Sequence, residues 1–82
     1  MRQYGLGKTF TTAPEHYRRN YDMGENLRVV PAEVGHDSGT TPGVAIFYGT
    51  SNLIAVIVAE HAWNLADQLA DVLDALADRN AA

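Results

Sequence analysis

The chain has no cysteine among its 82 residues. That removes a disulfide staple, a thiolate metal cage and a thiol nucleophile together. Basic residues are few: six Lys and Arg stand against ten Asp and Glu, a formal charge of −4 and a pI near 5.1. Such a balance argues against the broad basic footprint of a nucleic-acid-binding domain. A long unbroken hydrophobic run is also lacking. Ser38 to Ala59 is 22 residues without a formal charge, which length alone would allow to span a bilayer. Thr40-Thr41-Pro42-Gly43 and Gly49-Thr50-Ser51-Asn52 cut it into pieces too short to cross, so the segment reads as a buried β-hairpin and no membrane partner is expected. Met1-Arg2-Gln3-Tyr4-Gly5 has no apolar stretch behind it, so no secretory signal is expected and localisation defaults to the cytoplasm.

What remains is a small acidic chain that is 46% hydrophobic, expected to form one domain over residues 1–82 with 1–11 a flexible arm. A chain of this length buries only about 60–65% of the surface its unfolded form exposes. With a thin core and no covalent staple, association is the natural source of further stability. Charge is divided along the chain. Residues 1–28 hold five basic residues (Arg2, Lys8, Arg18, Arg19, Arg28) and three acids, a balance of +2; residues 29–82 hold seven acids and Arg79, a balance of −6.

Thr12-Ala13-Pro14-Glu15 has the form of a capping box, with Pro suited to a first turn, and predicts a short helix over about 13–21 that Asp22-Met23-Gly24 ends. Tyr17 and Tyr21 share one face of it. Leu27 to Val34 is rich in β-formers but contains Pro31, which makes it an edge strand near 27–34. Gly35 to Gly43 reads as a loop. Val44–Tyr48 and Leu53–Val58, joined by Gly49–Asn52, form the hairpin 44–58. From about Ala59 the period changes to 3.6. Ala62, Leu65, Ala66, Leu69, Val72, Leu73 and Leu76 then fall on one side of a helix of about 20 residues, with Glu60, Asp67, Asp71, Asp74 and Asp78 in a narrow arc on another. The expected fold is α+β: a small antiparallel sheet packed by one long C-terminal amphipathic helix, with a short N-terminal helix.

A half-exposed antiparallel strand alternates apolar and polar residues, and this hairpin does not, so both faces of the sheet need cover. The C-terminal helix is expected to cover one. The other falls to the N-terminal zone, through Phe10, Tyr17, Tyr21 and Met23, or to a second copy of the chain. The expected self-association residues are Val44, Ile46, Phe47, Tyr48, Ile54, Val56 and Val58. Asp67, Asp71, Asp74 and Asp78 read first as a solvated face; as a docking surface they would meet a basic partner protein, or Arg18 and Arg19 of a neighbouring copy.

No motif names a reaction. Gly5-Leu6-Gly7-Lys8-Thr9 ends like a phosphate-binding loop but lacks its first glycine, its strand and its helix. His36-Asp37-Ser38 holds the residue types of a hydrolytic triad side by side, whereas a triad converges from separated positions. Glu60-His61, His16 and His36 match no metal-ligand spacing. No catalytic, cofactor or metal residue is therefore expected, and no cofactor.

Leu53-Ile54-Ala55-Val56-Ile57-Val58 followed by Asn64-Leu65-Ala66-Asp67-Gln68-Leu69-Ala70-Asp71-Val72-Leu73-Asp74-Ala75-Leu76 resembles the strand-then-helix units of small accessory proteins of actinobacterial phages and their hosts. The resemblance covers less than half of the chain and carries over no functional residue. It implies a non-enzymatic intracellular protein that acts by contact on a host protein, while the homodimer is the reading of the hairpin's two apolar faces. The alternatives are a nucleic-acid-associated regulator using the basic N-terminal arm and a virion or assembly subunit.

Overall fold

The computed structural model describes the backbone of residues 9–81 and side chains as far as Asp78. The phosphate-loop-like Gly5-Leu6-Gly7-Lys8 and most of the expected arm lie outside the described residues. A single 3-10 turn, Pro14–His16, leads into α1, Tyr17–Glu25. Three strands follow, β1 (Leu27–His36), β2 (Gly39–Tyr48) and β3 (Asn52–Val58), and then α2, Ala59–Ala81. The strands form one antiparallel sheet in the order β1-β2-β3, so the α+β architecture expected from the sequence is the one observed. Strand β3 passes into α2 without a loop.

Three local readings are corrected. The capping box does not form: Ala13 is the N-cap, no side chain bonds the helix start, and the His16 N–H donates to the Ala13 carbonyl at 3.0 Å. The helix continues through Gly24 to Glu25 and is closed by Asn26, whose N–H donates to the Asp22 carbonyl at 3.1 Å and whose side-chain amide donates to the same carbonyl at 3.0 Å and to Asp22 Oδ1 at 2.8 Å. A C-terminal Asn closing the last carbonyls outweighs a single internal glycine. The expected loop over residues 35–43 is mostly strand. Only Asp37 and Ser38 turn, and Gly39, with φ +143°, takes up the reversal.

The position of Pro42 explains how a strand can contain it. The last β2–β3 pair is Gly43↔Val58, so Pro42 lies beyond the end of β3 and is paired only with Glu33 of β1. At that point β2 is itself an edge, where a missing N–H is tolerated. Pro31 likewise lies on β1, an outer strand. Between Ile46↔Ala55 and Phe47↔Leu53 the register slips, leaving Ile54 as the extra residue of a β-bulge.

Candidate functional site

Packing within the chain is slight. Ala45, at the centre of β2, is the one buried hydrophobic residue among those described, at 7% exposure. The chain exposes 6924 Å², whereas a compact monomer of 8.9 kDa exposes about 4,800 Å². Its radius of gyration is 15.8 Å and its extents are 50 × 33 × 18 Å, against about 12 Å for a compact chain of this length. The molecule is a thin plate.

The apolar side chains that should fill a core lie on its surface. Helix α2 rests against β2 and β3, but its apolar stripe does not point at them. Beyond the first turn, where Ala59 and Ala62 are partly covered, the partly covered residues of the helix are Asn64, Gln68, Asp71, Val72 and Ala75, whereas Leu69 and Leu73 are 58% and 62% exposed and Leu65 and Leu76 are exposed as well. At 100° per residue the leucine stripe is turned roughly 110° from the covered side. The expectation that this stripe covers the sheet is therefore corrected: the stripe faces sideways. On the sheet, Val29, Leu53, Ile54 and Val56 are exposed. Of the expected self-association residues, Ile54 and Val56 are exposed, while Val44, Ile46, Phe47, Tyr48 and Val58 are half-buried. Phe10, Tyr17, Tyr21 and Met23 are all exposed, so the described part of the N-terminal zone does not lie over the sheet as a lid.

Instead α1 is held at its C-terminal end by a polar clasp. The Gly49 N–H donates to the Asn26 carbonyl at 3.0 Å, and the Tyr48 hydroxyl donates to Asp22 Oδ2. Arg28 Nε donates to the Gly49 carbonyl at 3.0 Å while its guanidinium lies 5.3 Å from the centre of the Phe47 ring. The hydrogen bond to the Asp22 carboxylate raises the Tyr48 hydroxyl above its ordinary pKa of 10.0. By sequence, Tyr48 falls in the association surface and Asp22 at the helix end, and Asn26 is given no role. The i, i+4 spacing of Asp22 and Asn26 was the available signal for a bond between them, but the link to Tyr48 spans 26 residues and has no local trace.

The polar candidates are dispersed. Arg18 and Arg19 are exposed on α1, where the Tyr17 and Tyr21 rings lie 6.0 Å apart, tilted by 42°. Asp67, Asp74 and Asp78 are exposed and Asp71 is half-buried, along α2. His36 stands beside the β1–β2 turn with Ser38 Oγ 3.2 Å from Nδ1 and Thr41 Oγ1 3.0 Å from Nε2. Both ring nitrogens meet hydroxyls, Asp37 bonds neither, and the imidazole lacks the carboxylate that would orient it as a base. Glu60 and His61 are exposed in the first turn of α2. Among the described residues no three His, Asp or Glu side chains gather as a metal site, and no helix is long and apolar enough to cross a membrane.

What this surface can do chemically is exclude water against another apolar surface. Comparison with protein-family models, with curated proteins and with solved structures gives no match.

Proposed function

We propose that this chain works as a homodimeric, non-enzymatic contact protein of the cytoplasm, with a second copy covering the surface that one copy leaves open. The observation that carries this reading is the surface excess. A chain of 8.9 kDa exposing 6924 Å² stands about 2,100 Å² above a compact monomer. Doubled over two partners, that excess lies within the range of about 2,000–5,000 Å² buried by obligate homodimers. Among the described residues of the N-terminal zone, Phe10, Tyr17, Tyr21 and Met23, which would have served a monomer as a lid, are exposed instead.

The exposed acids of α2, Asp67, Asp74 and Asp78, then face outward from each copy. Trp63, 73% exposed, stands beside them one turn before Asp67. An aromatic anchor next to carboxylates suits a basic protein segment, and such a role agrees with the likeness to host-directed phage accessory proteins. A net charge of −4 favours a protein partner over nucleic acid. Light scattering at about 10 μM, far above the dissociation constants usual for obligate dimers, is the direct test. The expected mass is twice 8.9 kDa; a mass of one chain would overturn the reading.

A further inference from the structure

The two edges of the sheet differ in kind. The outer edge of β1 carries Pro31 at mid-strand, with Arg28 and Glu33 to either side, all devices that keep an edge from pairing. The outer edge of β3 has neither proline nor charge, and its one irregularity is the bulge at Ile54. After Asn52 it reads Leu53-Ile54-Ala55-Val56-Ile57-Val58, without charge, proline or glycine. Its outward N–H and C=O groups have no partner among the described residues, and Leu53, Ile54 and Val56 are exposed beside them. An uncharged apolar edge strand is a template for another strand.

The position of α2 bears on which strand that is. Antiparallel pairing of β3 with β3 of a second copy puts a two-fold axis perpendicular to the sheet, which leaves both α2 helices on the same face. A helix lying over β2 and β3 stands about 5–7 Å from such a seam, given strands about 4.8 Å apart. Its copy then stands about 10–14 Å away, a gap that leucine side chains of two antiparallel helices fill. The sideways stripe of Leu65, Leu69, Leu73 and Leu76 is an apolar surface suited to that gap. The acids do not oppose the approach, because Asp67, Asp74 and Asp78 lie about 145–175° around the helix from the stripe.

We infer that two copies join through their β3 edges into one continuous six-stranded antiparallel sheet, with the two α2 leucine stripes packed against each other above the seam. This rests on the homodimer reading above and specifies its interface. The chain has no native cysteine, so single introduced thiols report contacts without background. Leu53→Cys, Ala55→Cys and Ile57→Cys are oxidised in turn and run on a non-reducing gel, with Leu69→Cys reporting on the helices. Cross-linking is expected to peak at one β3 position, the one nearest the two-fold, and to fall off along the strand. Ile54→Lys, which sets two buried like charges near the seam, should weaken dimerisation by at least about 100-fold while the far-ultraviolet circular dichroism keeps its helical signal. Val29→Lys, on the guarded β1, should leave the dimer intact.

A wild-type chain that is monomeric overturns the homodimer reading and this seam with it. A wild-type dimer that yields no β3 cross-link, or that Val29→Lys dissociates and Ile54→Lys does not, overturns the seam alone. If Ile54→Lys fails to fold, the cysteine positions decide.

Discussion

Tyr48 and Asp22 join α1 to the sheet through one hydrogen bond between the half-buried tyrosine and the exposed carboxylate. The bond raises the Tyr48 hydroxyl above its ordinary value of 10.0. A group whose folded pKa lies above its unfolded one lends stability that is intact below the unfolded value and is lost as pH rises through the folded value. The hold on α1 is therefore constant through neutral pH and weakens in alkali above about pH 10. Asp22→Asn should move the latest-titrating tyrosine in an absorbance titration back toward the ordinary range, and Tyr48→Phe should remove that transition. A profile unchanged by Asp22→Asn would refute the link. Such a bond between distant residues is invisible to spacing arguments, because nothing near Tyr48 in the chain marks it as the partner of α1.

At the scale of elements, β2 depends on a glycine that composition assigned to a loop. A Cβ at Gly43 would meet the Ile57 carbonyl oxygen at 2.5 Å and Val34 Cγ2 at 2.8 Å. Both neighbours belong to the flanking strands, and the closer one is backbone, which cannot swing aside. Gly43→Ala should destabilise the protein by about 1–3 kcal/mol, read from urea unfolding; an unchanged midpoint would show that β3 moves freely at this point. The same segment shows where sequence reading stopped. Runs of β-branched and aromatic residues marked Val44–Tyr48 and Leu53–Val58, and the 3.6 period marked α2, because side-chain shape and periodicity are read directly from the chain. Gly35–Gly43 carries turn residues for a different reason: one glycine takes a positive φ, Gly43 accommodates a close strand, and Pro42 sits where the third strand has ended. Composition does not separate these causes. The leucine stripe of α2 was legible as a stripe, yet its direction was not, since periodicity fixes which residues share a face and leaves open what that face meets.

Considered whole, the molecule is a plate 18 Å thick with a single buried hydrophobic residue among those described. A chain that completes its core only by pairing has a stability tied to its own concentration. Its thermal midpoint is expected to rise by about 5–10 °C over a hundredfold increase in concentration, from the roughly 2.7 kcal/mol that mass action supplies. A midpoint independent of concentration would mark a self-sufficient monomer. The shortage of covalent and metal staples, plain from composition, thus has its structural counterpart in an apolar surface larger than one chain can cover.

Pro31 gives that surface a limit. A strand edge open on both sides of a sheet would let copies add without end, as in a fibre. Here β1 carries Pro31 on one side while β3 lies open on the other. Once the open side is occupied, each end of the assembly is a β1 strand with proline at its middle. In the proposed pairing, growth by strand addition would stop at two, and a residue on the strand away from the seam would set the stoichiometry.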